Sequence, residues 1–284
     1  YVFYSHPERS VNVLSRFEFK DGKLDMASEK QILDVKVQRE TCCHTGGSLV
    51  FDPDGNLFIS TGDNTHPGGD TAGYAPIDER PGQEPWDAQK SAANTHDLRG
   101  KILRLRITPE GGYTIPDGNL FPKDGSAGRP EIYVMGCRNP WRMSVDQRTG
   151  FVYWGEVGPD AGGDGPRGSR GYDEINQARK AGNFGWPLFV GSNFTYAKYD
   201  FATKTVGAGK TAQRHIRYFV TLSAFHHGIS TGVADIVYPY IFAFRWGVPG
   251  TGDGAAADPS VARSTALARQ WLAGFKVVGV EEQV

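Results

Sequence analysis

Cys42-Cys43-His44-Thr45-Gly46-Gly47-Ser48-Leu49-Val50-Phe51-Asp52-Pro53-Asp54-Gly55-Asn56-Leu57-Phe58-Ile59-Ser60-Thr61-Gly62-Asp63 reads as a loop, a strand, a tight turn and a second strand. Ser48 to Phe51 is short and partly apolar. In Asp52-Pro53-Asp54-Gly55 the proline presets φ at one turn position and the glycine accepts positive φ at another. Leu57, Phe58 and Ile59 resume the strand, and Gly62-Asp63 ends it. Cys42, Cys43 and His44 therefore sit on the loop leading into the first strand, where a rigid sheet can present reactive side chains.

The chain before and after this stretch continues the same grammar. Tyr1 to Tyr4 looks like a strand, Val11 to Phe19 alternates apolar and polar, Asp21-Gly22 is a hairpin turn, and Ile32 to Val37 is a further strand. Residues 64–97 form a long polar excursion, a length that marks a functional or mobile loop. Leu98 to Ile107 returns to strand, and Pro109 to Gly112 turns it back. Glu131 to Met135 then runs into Gly136-Cys137-Arg138-Asn139-Pro140-Trp141-Arg142, followed by Met143 to Asp146, a turn, and Phe151 to Trp154. This second unit echoes the first: Leu49, Phe51, Asp52, Gly55 and Leu57 line up with Met143, Val145, Asp146, Gly150 and Val152. A repeated strand-turn-strand unit suggests a β-propeller, with an ordinary β-sandwich carrying two similar hairpins as the alternative. Residues 155–187 read as a second Gly-rich region.

With 284 residues, 39% hydrophobic and 22% charged, the chain supports a packed core rather than wholesale disorder. A formal net charge of −1 argues against a general nucleic-acid surface. The 37 glycines and 17 prolines call for many turns, and helical signatures are scarce before residue 200. No run of apolar residues is long enough for a membrane span. No signal peptide is visible, and the opening on Tyr1 rather than Met reads as a fragment whose natural start is missing. After about residue 205 the character changes: acids become sparse, His226-His227 appear, and Ala255 to Phe275 is Ala-rich with helical spacing.

Candidate chemistry concentrates on the loops. His44 can take a proton at neutral pH, although a loop histidine taken alone is more often a surface residue. Arg138 and Asn139 occupy the equivalent loop of the second unit, where an arginine can grip an anionic ligand or form a structural ion pair. Gly158-Pro159-Asp160 precedes an acidic, Gly-rich loop able to turn carbonyls and carboxylates toward Ca²⁺, with Asp164 and Asp173 joining it or simply solvated. Cys42 and Cys43 beside His44 allow a soft metal site completed by Cys137, a disulfide between the neighbours or from one of them to Cys137, or free thiols. Asn193-Phe194-Thr195 is a glycosylation sequon by pattern.

Taken together, these runs resemble the glucose/sorbosone dehydrogenases, soluble quinoproteins that use pyrroloquinoline quinone (PQQ). The resemblance rests on His44-Thr45-Gly46-Gly47-Ser48-Leu49 with Asp52 to Leu57 and Thr61-Gly62-Asp63. Leu98-Arg99-Gly100-Lys101-Ile102-Leu103-Arg104, Gly136 to Arg142, Gly158-Pro159-Asp160, and Asp173-Glu174-Ile175-Asn176 leading to Gly182-Asn183-Phe184-Gly185-Trp186-Pro187 follow in the same order. It covers about residues 10–200. It implies a six-bladed β-propeller with quinone and substrate at the channel mouth. By position, His44 is similar to the general base that takes the proton of a sugar's anomeric hydroxyl, and Arg138 and Asn139 to the pair that contacts PQQ. The backbone carbonyls of Gly158 and Pro159 match those that hold Ca²⁺ against the cofactor. The product would be the lactone, and the electrons would pass to an external acceptor, a quinone or cytochrome c. The chain departs from the pattern at Cys43, where the family places an acid before the histidine.

The implied architecture is all-β: residues 1–205 as an incomplete propeller of about three to four blades, and 206–284 as a divergent tail in which Tyr238-Pro239-Tyr240 is a remnant of a later blade. The implied location is periplasmic or extracellular, in a bacterium. A second reading is a propeller of the same ancestry that has lost the quinone and recognises a carbohydrate or a protein. No nucleic acid and no membrane span are expected.

Overall fold

The computed structural model describes residues 1–209 and 224–225. Their regular structure is all strand apart from two single-turn 3-10 segments, Gly69–Thr71 and Glu84–Trp86. The fold is an all-β partial propeller: successive, chain-local sheets stacked face to face.

The first sheet joins β1 (Val2–Ser5), β2 (Val11–Lys20) and β3 (Lys23–Lys36), all antiparallel. Asp21 and Gly22 form the expected two-residue turn, both at positive φ (50° and 76°), which matches the twist of the flanking strands. β3 begins well before Ile32. Its outer half carries Lys23, Asp25, Glu29 and Lys30, so no apolar alternation announces it. It is paired to β2 all the same, because the hairpin turn sets the register.

The second sheet contains β4 (Leu49–Phe51), β5 (Asn56–Thr61), β6 (Lys101–Ile107), β7 (Tyr113–Thr114) and β8 (Ile132–Met135). The third contains β9 (Pro140–Val145), β10 (Val152–Glu156) and β11 (Tyr172–Ala178). A short β12 (Gly182–Asn183) runs parallel to β8. Two small hairpins follow, β13 (Phe189–Val190) with β14 (Phe194–Thr195) and β15 (Ala197–Asp200) with β16 (Thr205–Gly209). A two-residue β17 (Ala224–Phe225) pairs with β11.

The apolar run in β5 is explained by its position. Leu57 and Ile59 pack with Leu14, Leu33 and Val35 of the first sheet and with Leu103 and Leu105 of β6. Phe58, on the opposite face, packs with Met143, Val145, Val152 and Trp154 of the third sheet. A strand covered on both faces needs apolar residues at consecutive positions. Each such side chain contributes about 1.5–3 kcal/mol by leaving water.

The two repeated units are real hairpins with matching turns. Gly55 (φ 79°) donates its N–H to Asp52 O at 3.0 Å, and Gly150 (φ 71°) donates to Asp146 O at 2.7 Å. The first strands of the two units lie side by side, with Met143 N–H on Ser48 Oγ at 3.1 Å. This puts the loops preceding them, 42–48 and 136–139, at one end of the stack.

The Gly-rich region 155–187 contains β11, whose buried polar residues Asp173, Asn176 and Gln177 break hydrophobic alternation. The excursion 64–97 is folded rather than loose: Ala75, Ala88 and Ala92 pack against Trp186, Val190 and Tyr196. His226-His227, Tyr238 to Tyr240 and the Ala-rich run from Ala255 to Phe275 lie outside the described residues.

Candidate active site

His44 is held in an uncommon backbone state. Its φ is +50°, as is typical of few non-glycine residues. Three neighbours fix it there. Asn64 donates its backbone N–H to His44 O at 3.1 Å. Gly62 lies against the same carbonyl so closely that a Cβ would sit 2.1 Å from it, which is why no larger residue fits. Asp63 accepts a hydrogen bond from His44 Nδ1 at 2.8 Å. With Nδ1 carrying that proton, Nε2 presents its lone pair and has no protein partner among the described residues.

The electrostatics suit a base. The His44 side chain is 7% exposed. Burial, then the charge of Arg138, pushes the imidazole below its ordinary value, against the pull of Asp63 and Asp160. Burial acting on Asp63 raises its carboxyl, but His44, Arg138 and the Thr65 N–H outweigh it and hold the group below its ordinary value. Asp63 is thus a buried carboxylate and His44 a neutral imidazole at pH 7.

The structure brings Arg138 and Asn139 to this histidine. Asn139 Oδ1 accepts the Gly46 N–H at 3.1 Å, and Asp63 donates its backbone N–H to Arg138 O at 2.7 Å. Asn139's side-chain amide nitrogen has no protein partner among the described residues. The Arg138 guanidinium is 4% exposed and 3.5 Å from Asp160, and its Nη1 donates to Val157 O at 3.1 Å. Below the turn, Glu156 Oε1 accepts both backbone N–H groups, from Arg138 at 2.7 Å and Asn139 at 2.6 Å. Burial pushes the Glu156 carboxyl up to about 8, Glu174 adding to it and the Trp154 and backbone donors opposing.

Gly158 and Pro159 follow directly on the strand that carries Glu156. Gly158 N–H donates to Asp173 Oδ1 at 2.8 Å. Gly171 lies against Pro159 O, where a Cβ would come within 1.5 Å. Neither the Gly158 nor the Pro159 carbonyl accepts a hydrogen bond among the described residues, and carbonyl oxygens are the type of ligand a hard cation takes. Asp173 is engaged as an anchor for this loop. Asp164 pairs with the exposed Arg170 at 3.2 Å instead and does not join the site.

No group of three or more His, Cys, Asp or Glu side chains among the described residues is placed to hold a metal, and the soft-metal reading of the cysteines is overturned. Cys42 and Cys43 are bonded to each other, and Cys137 is a buried free thiol packed in the core between the second and third sheets. Three residues that act at the site were not singled out in the sequence. Asp63 accepts the His44 Nδ1 hydrogen bond, Glu156 holds the Arg138–Asn139 turn, and Trp186 donates to Asp63 Oδ2 at 2.7 Å. An acid just past the second strand after a candidate base was the one available signal for Asp63.

The family model described as Glucose / Sorbosone dehydrogenase matches residues 1–220. The HIPL1 protein of Arabidopsis thaliana is 26% identical over 242 residues, covering 78% of this chain and 30% of that protein. The aldose sugar dehydrogenase YliI of Escherichia coli is 35% identical over 167 residues, covering 58% of this chain and 35% of the relative. The quinoprotein glucose dehydrogenase B of Acinetobacter calcoaceticus is 29% identical over 166 residues, covering 56% and 30%. The chain thus spans 30–35% of the length of these relatives. Among the described residues, no helix is long and apolar enough to cross a membrane.

Proposed function

Because the chain belongs to the glucose/sorbosone dehydrogenase family, we propose that its site oxidises the anomeric C1–OH of an aldose to the lactone, with PQQ as cofactor and Ca²⁺ beside it. The observation that carries this reading is the buried His44, tied through Nδ1 to Asp63 and set beside Arg138. The residues present fit the cofactor. A buried guanidinium and a side-chain amide suit its carboxylates, and two carbonyls without protein donors suit the cation. When bound, PQQ would supply the hydride acceptor, with an external quinone or cytochrome c to take up the electrons.

The chain's own residues supply the rest. His44 Nε2 takes the proton of the anomeric hydroxyl as the C1–H bond breaks, and Asp63 stabilises the imidazolium that results. Arg138 and Asn139 would hold the anionic ligand in place, and the Gly158 and Pro159 carbonyls would hold the cation. The Cys42–Cys43 disulfide supports a periplasmic or extracellular location, since such bonds persist in oxidising compartments.

The test is a PQQ titration with and without Ca²⁺, followed by absorbance, then addition of a panel of aldoses. Calcium-dependent binding and bleaching of the quinone on sugar addition are expected. Folded protein that binds sugar but no PQQ would favour the non-catalytic carbohydrate-binding propeller instead. His44→Ala is expected to lower turnover by about 10²- to 10⁴-fold with the PQQ dissociation constant little changed. Unaltered turnover would remove His44 from the mechanism.

A further inference from the structure

We propose that Trp186 is a positioning residue that fixes the base and the anion clamp together, holding Asp63 through its indole N–H and carrying Arg138 on its ring face. This rests on the reading of His44 as the base. The two oxygens of Asp63 are divided between two tasks. Oδ1 accepts His44 Nδ1 at 2.8 Å and the Thr65 N–H and Oγ1–H at 2.9 Å each. Oδ2 accepts Trp186 Nε1–H at 2.7 Å, the sole donor it has among the described residues. Asp63 is 0% exposed, so water does not stand in for a lost donor. Without the indole, the carboxylate has no reason to keep Oδ1 turned toward the imidazole.

The face of the same ring, as opposed to its N–H edge, meets the clamp. Arg138 Cζ lies 5.9 Å from the Trp186 ring centroid, within range of a cation–π interaction. Trp186 is itself firmly seated. It is 5% exposed, its backbone N–H donates to Gly136 O at 3.1 Å, and Tyr196 meets it edge-on at 6.3 Å. Trp186 is 123 residues from Asp63, so the bond ties the late segment of the chain to the loop that bears His44. A side chain that only filled the core would not need its one polar atom aimed at the one carboxylate that orients the base.

The experiment separates the two tasks. Trp186→Phe keeps a ring beneath Arg138 and removes the N–H. The groups that act on the His44 imidazole are Asp63, Arg138 and Asp160, and this substitution leaves all three. Loss of the donor concentrates the Asp63 charge, which favours the imidazolium. The His44 titration, followed by NMR on protein free of cofactor and sugar, is expected to move up by about half a unit to one unit. PQQ affinity is expected to stay within about threefold. Trp186→Leu, which also removes the face beneath Arg138, is expected to weaken PQQ binding about tenfold further.

A His44 titration unmoved in Trp186→Phe would overturn the proposal. Should that variant fail to fold, the wild-type protein decides. The Trp186 indole N–H resonance is expected to titrate with His44, since both donate to one carboxylate, and an indole signal indifferent to that titration would also overturn it. Neither of these two NMR readouts uses the cofactor; the PQQ affinities of the variants test only the contact with Arg138. Failure of the wild-type protein to bind PQQ therefore counts against the function proposed above and not against the tie between Trp186 and His44.

Discussion

His44 and Arg138 are set against each other by charge, and this gives a prediction with a definite sign. The guanidinium lowers the imidazole pKa, second only to burial. Arg138→Ala removes a positive charge and is expected to raise the His44 pKa, so the acid limb of the pH–rate profile moves to higher pH. NMR titration of His44 in the ligand-free variant checks this, and a pKa that stays or falls would contradict it. Loss of the paired hydrogen bonds from Arg138 is expected to weaken PQQ binding by about 10- to 100-fold. At this scale the sequence marked the loops of His44, Arg138 and Asn139, each with distinctive neighbours, and the structure brings those loops together. Asp63 and Trp186 were quoted inside the same motifs, but nothing local says that an indole and a carboxylate so far apart in the chain share a hydrogen bond.

Lys101 shows how an element can depend on one buried charge. At the start of β6, its Nζ donates to the backbone carbonyls of Ser91, Ala92 and Arg99 at 2.8, 3.0 and 2.7 Å. It thereby anchors the end of the 64–97 excursion to the second sheet. Ser91 O and Ala92 O also accept the N–H groups of Asn94 and Gly136, so Lys101→Met leaves the Arg99 carbonyl as the one without a donor among the described residues and is expected to cost about 1–3 kcal/mol, read from urea unfolding at pH 7. Burial pulls the Lys101 ammonium down to about 7, below its value in the unfolded chain. Between about pH 7 and the ordinary lysine range the unfolded chain binds the extra proton, so this group's contribution to stability rises with pH there and is level below. The stability difference between wild type and Lys101→Met should therefore widen from pH 7 to pH 9; a constant difference would contradict the assignment. The elements themselves were legible where alternation or a turn announced them, as in β2, β5 and the two Asp-to-Gly turns. They were not where charge hid the pattern, as in the outer half of β3, or where buried polar residues did, as in β11.

Across the whole molecule, the site is assembled from segments that belong to different sheets. His44 lies before β4 and Asp63 after β5, Arg138 and Asn139 lie before β9, Gly158 and Pro159 follow β10, and Trp186 follows β12. A ligand that bridges these segments should stabilise the fold as a unit. PQQ with Ca²⁺ at a free concentration 100 times its dissociation constant is expected to raise the unfolding free energy by about 2.7 kcal/mol, seen as a higher melting temperature. Binding without any such rise would mean that the ligand sits on one segment alone. The sequence by itself determined the strand-turn-strand repeat, the reactive loops that precede it and the family they resemble, because turn chemistry and alternation act between residues close in the chain. Only the tertiary structure decided that Asp63 accepts a hydrogen bond from His44, and that Trp186 donates to Asp63 while its ring lies beside Arg138. Those outcomes depend on which blade lies against which, and the burial and hydrogen bonds that result exist only once the sheets are stacked.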